Sequence, residues 1–356
     1  MRNIEPLDLV DAKGTWHEIG RQYGEACSEG IKKNVEVFVN GIASVNKADK
    51  KAILATAQKF IKPVEEYAPE CLDEMKGIAE GAKVSFDEVF FINASIELRQ
   101  YYSLLAGGCT SFACSGEATK NGETIIGQNF DWIAGTEFVI LRAQPTEGPK
   151  SLLFGWTGGL AIPGINSAGL GHQANLLHSP TASGVGVPFN VLHQKILQQK
   201  NIADAIGVIF NASKTGSWNY LLASAEGDIV DVEATKDDIN CLFPEMGIIT
   251  HANYHLTERF KHLDMIGMLL PDAYLRAERL KTLMRRHHGE LSVEVMKELM
   301  QDHNDYPDSI CRHDDVTGPP EEYFSTKASI ISVPAEGKMY ITNGCPCENE
   351  HVVYRL

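Results

Sequence analysis

The sequence has no long apolar run and no excess of positive charge. A helix that crosses a membrane needs about 20 mostly apolar residues in a row, and no stretch of the 356-residue chain approaches that length. Lys and Arg number 32 against 47 Asp and Glu, which gives a formal net charge of −15. This balance argues against nucleic acid as a partner, so we expect neither nucleic acid nor a membrane to be bound.

Cysteine is scarce, and the first residues have no export signal. Eight cysteines in 356 residues do not make a dense disulfide framework. The start of the chain, with Arg2, Glu5 and Pro6, lacks the uninterrupted apolar segment of a secretory signal. We therefore expect a cytoplasmic protein whose thiols are reduced.

Familiar metal and cofactor motifs are missing too. His251 and His255 are four residues apart, but they follow a strand-like run and lack the Glu of the zinc-protease motif. The proline between Cys345 and Cys347 is more typical of a rigid turn than of a redox-active pair. The glycines between residues 155 and 171 do not have phosphate-loop spacing. The sequence therefore predicts no metal and no cofactor.

The first hundred residues show the apolar spacing of helices. Helices are predicted over 18–39, 52–67 and 69–81. We expect Gly81 to end the last of these, and Ser85 to cap a further helix.

A strand-rich part begins near residue 107. Up to residue 253, β-branched and aromatic runs alternate with glycine turns. Further helices are predicted over 188–199, 202–212, 272–287 and 293–301, and the last strands over 328–333 and 338–342. Helices on either side of mostly antiparallel strands favour a layered α+β fold. Since no linker or repeat is visible, we expect one domain, 1–356.

The glycine pair before Cys109 is the most informative feature. Gly107 and Gly108 free the backbone and allow the peptide bond before Cys109 to be strained or approached. The Cys109 thiol could attack that bond and release its own α-amine, whose ordinary pKa of about 8 suits a base that activates the thiol. From these residues alone, a loop with an inert buried cysteine remains the commoner interpretation.

The chain after Cys109 contains a second candidate site residue, the acidic Asp131. Lys120-Asn121-Gly122-Glu123 is a strong signal for a two-residue hairpin turn. Simple register would pair Phe112 with Asp131, which brings Asp131 near Cys109 but on the wrong face by one residue. A β-bulge would be needed to turn it towards the cysteine.

Several short strings, taken in order, resemble the acyl-CoA:6-aminopenicillanic acid acyltransferase family. This family belongs to the N-terminal nucleophile hydrolase superfamily and is related to penicillin V acylases and bile-salt hydrolases. The strings are GRQYG (20–24), GIAEG (77–81), GCT (108–110), GQNFDW (127–132), GINSAGL (164–170), NYLL (219–222), THANYH (250–255) and SICRH (309–313).

The resemblance implies a four-layer αββα sandwich that cuts itself between Gly108 and Cys109. Residues 1–108 would become a separate but retained chain, and 109–356 a catalytic chain that begins at Cys109. The bile-salt branch has an arginine where this chain has Gln128, which argues against bile-salt substrates.

The resemblance also implies roles for single residues. Cys109 would be both nucleophile and base, with Asp131 near its amine. Asn253 would donate to the oxyanion, and Asn175 falls where relatives supply another oxyanion contact. Arg312 would brace the nucleophile. Taken alone, Asn253 is more typical of a buried structural amide, and Arg312 could belong to a surface ion pair with the neighbouring Asp314 and Asp315.

Three hypotheses follow from the sequence. The first is an amidohydrolase or acyltransferase that acts on small N-acyl compounds through a thioester on Cys109. Its partners would be its own cleaved segment and an acyl donor such as acyl-CoA. The second is a protease in which Cys109 works with one of the twelve histidines. The third is a catalytically silent, uncleaved binding protein of the same fold.

Overall fold

Two β-sheets form the centre of the molecule, and helices cover the outer face of each. The computed structural model describes residues 2–101, 108–160, 162–180, 184–317 and 323–356. In this part of the chain the strands are β1 (Leu9–Gly14), β2 (Gly108–Gly116), β3 (Gly122–Ile133), β4 (Phe138–Pro145), β5 (Ser151–Trp156), β6 (Gly164–Asn166), β7 (Leu170–Leu177), β8 (Ser217–Ser224), β9 (Ile229–Ala234), β10 (Ile239–Leu242), β11 (Ile248–His251), β12 (Phe324–Val333), β13 (Lys338–Ile341) and β14 (Val352–Arg355). The α-helices are α1 (Trp16–Ala26), α2 (Ser28–Asn46), α3 (Lys50–Ala57), α4 (Ile61–Tyr67), α5 (Pro69–Ala82), α6 (Phe86–Tyr101), α7 (Phe189–Leu197), α8 (Ile202–Asn211), α9 (Asp272–Arg286) and α10 (Val293–Leu299).

The two sheets pack face to face. One has the strand order β1-β4-β5-β6-β7-β8-β9-β10, and the other has the order β11-β2-β3-β12-β13-β14. Strand β1 lies parallel to β4, whereas β2 and β3 are antiparallel. Ala113 and Ile126 of the six-stranded sheet pack against Leu221 and Ala223 of the eight-stranded sheet. These four residues form an apolar contact between the two inner faces, as two packed sheets require.

Each sheet has its own helical layer. Phe112 and Ile125 of the six-stranded sheet share an apolar cluster with Leu280 and Met284 of α9. On the other side, α1 contacts β1 and β4, α7 contacts β6 and β7, and α8 contacts β8 and β9. This arrangement confirms the predicted α+β fold with four αββα layers.

The helix boundaries differ from the expected ones at several places; for example, a 3₁₀ turn over Gln58–Phe60 divides the predicted 52–67 helix into α3 and α4. Gly81 does not end its helix: α5 continues to Ala82, and Lys83 ends it in the left-handed conformation with φ 57°. Cys27 divides the predicted 18–39 helix in two. The cap at Ser85 is confirmed, because its Oγ accepts the N–H of Glu88 at 3.2 Å. No helix in the described ranges has the length and apolar character needed to cross a bilayer.

Gly81 instead belongs to a close crossing of α1 and α5. A Cβ atom at Gly81 would lie 2.1 Å from the carbonyl oxygen of Arg21, and one at Gly20 would lie 2.0 Å from that of Glu74. Gly24 and Gly77 are equally crowded by the opposite backbone. The strings 20–24 and 77–81 are therefore two faces of one helix contact, which only glycine permits.

Candidate active site

The hairpin of β2 and β3 places Asp131 next to Cys109. Cys109 pairs with Phe130, and Gly108 pairs with Asp131. The expected pairing of Phe112 with Asp131 is wrong, because Phe112 pairs with Gly127 and the register shifts between Cys114 and Gly116.

The cause of the different register lies at the other end of the hairpin. Thr119 forms a bridge with Leu291, and the N–H of Lys120 donates to the Leu291 carbonyl at 2.8 Å. These residues therefore pair with the chain before α10 and cannot form the tight turn. The longer loop from Gly116 to Gly122 moves Asp131 along the ladder to the cysteine end.

The Cys109 side chain is buried on the face of β2 that looks towards the eight-stranded sheet. Its Sγ accepts a hydrogen bond from Gln128 Nε2 at 3.7 Å. The Gln128 Oε1 accepts the N–H of Ala174 in β7 at 3.0 Å. Burial first, and then the charge of Asp131, raise the pKa of the Cys109 thiol well above its ordinary value. In the intact chain the thiol is therefore protonated at neutral pH.

Asn253 lies directly beside Cys109 because β11 extends the sheet past β2. His251 pairs with Ser111 in this ladder, so the residue two further on comes level with Cys109. The Asn253 Oδ1 accepts the backbone N–H of Cys109 at 3.0 Å, and its Nδ2 donates to the Leu176 carbonyl at 3.1 Å. Asn253 thus holds the nitrogen that would become the new amine.

Arg276 of α9 is a site residue that the sequence reasoning missed. Its guanidinium donates to the Cys109 carbonyl at 2.8 Å, to Thr110 Oγ1 at 2.6 Å and to Asn253 Oδ1 at 3.1 Å. It also donates to Asp272 at 2.7 Å, and only 2% of its surface is exposed. The one available signal was the i,i+4 spacing of Asp272 and Arg276, which is common on surface helices.

Asp131 faces the bond before Cys109 and is held from behind. A Cβ atom at Gly108 would lie 3.4 Å from Asp131 Oδ2. Thr326 donates to Asp131 Oδ1 at 2.7 Å, and Arg312 Nε lies 3.7 Å from Oδ2. Burial raises the pKa of Asp131, against the opposing charges of Arg276 and Arg312.

Arg312 is buried among carboxylates rather than at the surface. It binds Asp272 and Asp308 in addition to Asp131. Burial alone would lower the pKa of Arg312, but the three carboxylates more than offset this and raise it. The alternative interpretation of Arg312, a surface ion pair, does not fit this geometry, because Arg312 belongs to a buried network that links Asp131 to α9.

Asn175 reaches the site through one intermediary. Its Oδ1 accepts the hydroxyl of Ser111 at 2.5 Å, and Ser111 lies two residues after Cys109 on the same face of β2. The Asn175 Nδ2 is buried and has no hydrogen-bond partner among the described residues. The structure thus links Asn175 to the Cys109 strand through Ser111, and the Asn175 Nδ2 group is left as an unused hydrogen-bond donor.

An apolar cavity adjoins Cys109. Its walls include five aromatic side chains, Phe130, Trp132, Trp156, Phe189 and Trp218, and its volume is about 20 Å³. That is room for about one water molecule. The rings stack tightly, with 5.0 Å between the centroids of Trp132 and Trp156. A substrate would need this wall to open.

No histidine of the described ranges hydrogen-bonds to Cys109. His251, which pairs with Ser111 in the neighbouring strand, is buried, and its Nε2 lies 2.9 Å from Glu233 Oε1. Burial lowers the pKa of His251, but the charges of Asp231 and Glu233 outweigh it and raise the pKa. This geometry gives no support to a Cys–His pair at Cys109.

These features define a layered αββα protein with a buried cysteine at the start of a central strand. The family model described as acyl-coenzyme A:6-aminopenicillanic acid acyl-transferase matches residues 118–347. This match covers more than half of the chain, and the chain therefore belongs to this family. The resemblance predicted from the short strings is confirmed, although the matched segment begins after Cys109.

Known relatives are similar over most of the chain. The 40 kDa form of acyl-coenzyme A:6-aminopenicillanic-acid-acyltransferase from Emericella nidulans is 24% identical over 310 residues, which cover 85% of this chain and 84% of that protein. Among solved structures, a variant of conjugated bile acid hydrolase from Clostridium perfringens has a TM-score of 0.47 at 13% identity, covering 70% of this chain and 97% of that one. Penicillin V acylase from Agrobacterium tumefaciens has a TM-score of 0.46 at 14% identity, covering 66% and 83%.

Proposed function

We propose that the protein cuts itself between Gly108 and Cys109 and then uses Cys109 as an N-terminal nucleophile on small N-acyl compounds. The observation that carries the proposal is the enclosure of the Cys109 nitrogen. Its N–H is bound by Asn253 Oδ1, and Asp131 Oδ2 faces the adjoining Gly108. Two acceptors therefore already surround the group that cleavage would convert into an ammonium or amine.

The cleavage step uses groups that are already in place. The Cys109 sulfur adds to the Gly108 carbonyl carbon, the C–N bond breaks, and the thiol proton passes to the nitrogen. Water then hydrolyses the resulting thioester and leaves a carboxylate on Gly108 and a free thiol on Cys109. The freed α-amine, whose ordinary pKa is about 8, is the base for later turnovers.

In turnover, the Cys109 sulfur attacks the carbonyl of an N-acyl substrate. Asn253 Nδ2 and the unpartnered Nδ2 of Asn175 supply donors for the oxyanion, where fixed N–H groups are most effective. Asp131 favours the protonated amine, and the charges of Arg276 and Arg312 oppose the rise that burial causes in the pKa of Asp131. Loss of the amine and attack by water, or by an acceptor amine, complete hydrolysis or acyl transfer.

The aromatic walls of the cavity favour a substrate with an apolar acyl group. Trp132, Trp156 and Phe189 offer flat carbon surfaces beside the sulfur, and such walls favour aromatic or aliphatic acyl chains over charged ones. We propose acyl-CoA as an acyl donor because the relative from Emericella nidulans carries it in its name. That the enzyme works in the cytoplasm also stays a prediction.

The contacts of residues 1–108 support their retention after cleavage. β1 pairs with β4 over six residues. Tyr23 accepts the N–H of Gly158, and the Asn34 side chain binds Thr157 and Glu137. A cut before Cys109 would leave all these contacts intact, so the segment would remain part of the fold.

Intact-mass analysis of the purified protein tests the proposal. We expect one piece that ends at Gly108 and one that begins at Cys109, whereas Cys109→Ala should stay a single chain. The processed protein should release amine from N-acyl amino acids or N-acyl amines that carry an apolar acyl group. An uncut wild-type chain that is nevertheless active would refute the amine-as-base mechanism. An uncut and inactive chain would favour the silent binding protein.

A further inference from the structure

A second cluster of reactive side chains includes both sequence neighbours of Arg312. It consists of His303, Cys311, His313 and Cys347, whose ligand atoms all lie within 4.8 Å of one another. We call these four residues the Cys/His cluster. Cys311 is fully buried and His303 is at the surface. The proposed acyl-transfer chemistry uses none of them.

Four of the six distances between ligand atoms in the Cys/His cluster match those around one tetrahedral zinc ion, and the other two, from His303 to the sulfur atoms, are no longer than 4.8 Å. With Zn–S of about 2.3 Å and Zn–N of about 2.05 Å, tetrahedral angles give about 3.8 Å for S–S, 3.6 Å for S–N and 3.3 Å for N–N. The Sγ atoms of Cys311 and Cys347 are 3.7 Å apart. His313 Nε2 lies 3.6 Å from Cys311 Sγ and 3.3 Å from Cys347 Sγ. The Nε2 atoms of His303 and His313 are 3.1 Å apart.

The surroundings also orient the ligands. His313 turns Nε2 to the cluster and Nδ1 towards Glu348, whose Oε1 is 3.9 Å away. A carboxylate behind a ligating imidazole is the usual outer partner in zinc sites. The backbone N–H of Cys311 donates to the backbone carbonyl oxygen of Asp302 at 3.1 Å, and the backbone N–H of His313 donates to that of Pro307 at 3.0 Å.

A third thiol nearby does not belong to the ligand set. Cys345 Sγ is directed at two backbone carbonyl oxygens, those of Arg312 at 3.4 Å and Thr326 at 3.5 Å. It lies 3.9 Å from His313 Nδ1, the ring nitrogen that faces away from the other ligands. The tetrahedral set is therefore two thiols and two imidazoles.

We propose that His303, Cys311, His313 and Cys347 bind one structural Zn²⁺ ion. All four coordination positions would be filled by protein, which is the pattern of structural rather than catalytic zinc. The ion would tie the loop after α10 to the turn between β13 and β14. Because Arg312 lies between two of the ligands, the same ion would hold the arginine that braces Asp131.

Metal analysis of the full-length protein tests this proposal. After purification in a reducing buffer without chelator, we expect inductively coupled plasma mass spectrometry to find about one zinc ion per chain. Cys109→Ala should contain the same amount, because the site is complete in the uncut chain. This arm keeps the result independent of self-cleavage.

Two substitutions and a matched control complete the design. Cys347→Ser and His303→Ala should each lose most of the zinc, whereas Cys241→Ser, a partly exposed cysteine on β10, should retain it. Co²⁺ exchanged into the wild type should give the visible bands of tetrahedral cobalt with thiolate ligands, and Cys347→Ser should lose the sulfur-to-metal band. Chelation should lower the melting temperature of the wild type and leave that of Cys347→Ser unchanged.

Three outcomes would overturn the proposal. One is a wild-type chain that takes up no zinc when reduced and supplied with it. Another is zinc content that is unchanged in both Cys347→Ser and His303→Ala. The last is a Cys311–Cys347 disulfide in protein prepared under the same reducing conditions. The test does not depend on whether the variants fold, because the zinc content and the cobalt spectrum are both measured on the wild type.

Discussion

Replacing Arg276 by Met should remove the charge that joins Cys109 to the acidic network while keeping most of the side-chain volume. The guanidinium is buried and donates to Cys109, Thr110, Asn253 and Asp272. Breaking a buried ion pair by removing one partner typically costs about 3–5 kcal/mol. We therefore expect Arg276→Met to be strongly destabilising.

The expected shift in melting temperature follows from the size of the chain. At about 2.1 cal/mol/K per residue, 356 residues have an unfolding entropy of about 0.75 kcal/mol/K. A loss of about 3–5 kcal/mol then lowers the melting temperature by about 4–7 °C. Calorimetry in the Cys109→Ala background measures this on a single chain.

Arg279→Met is the matched control, one turn along the same helix. Arg279 pairs with Asp302 and is about one-third exposed, and exposed pairs contribute about 0–1 kcal/mol. It should therefore lower the melting temperature by no more than about 1 °C. With Cys109 present, Arg276→Met should also slow self-cleavage, whereas Arg279→Met should not. Equal melting temperatures and equal cleavage rates in the two variants would refute the role given to Arg276.

Three further predictions concern the site and its surroundings. Asn253→Ala should lower kcat by about 10²–10³ with little change in KM, as for a lost oxyanion donor; a change in KM alone would make Asn253 a binding residue. Asp131→Asn should move the rising limb of kcat/KM against pH, because it removes the charge beside the amine, while His255→Gln should leave the limb in place; the reverse pattern would revive a histidine base. Burial alone would raise the pKa of Glu233, but hydrogen bonds led by that from His251 lower it to about 2. A depressed carboxylate pKa adds stability that is lost as the pH falls from about 4.5 towards 2, so urea denaturation should show the deficit of Glu233→Gln shrinking across that range, and a constant deficit would contradict this.

The fold class was predictable because the spacing of apolar residues along the sequence is periodic. Alternating apolar strands and helical stripes depend on local residues, and both outlined the layers correctly. The register of β2 and β3 was not predictable from the Asn121-Gly122 signal. Leu291, about 170 residues away, pairs with Thr119 and moves the turn. A contact of that range leaves no trace in the local pattern.

The candidate site shows the same division between local and distant information. Cys109 and Asp131 lie on one hairpin, so the sequence brought them together even with the wrong register. Arg276 looks like any helical arginine until the fold buries it. The Cys/His cluster was missed for a related reason, because Cys347 alone reads as part of a turn and Cys311 and His313 precede it by more than thirty residues.

The position of β1 in the eight-stranded sheet bears on how the protein can be handled in the laboratory. β1 precedes the proposed cut but completes a sheet whose other strands follow it. In the intact chain, the pairing of β1 with β4 is intramolecular and does not depend on protein concentration. Two separated pieces must instead find each other by diffusion. Thermal unfolding of the cut protein should therefore be irreversible. The stability of the cut protein is then described by its rate of unfolding rather than by an equilibrium free energy. The uncut Cys109→Ala chain is the form in which the fold can be taken apart and reassembled.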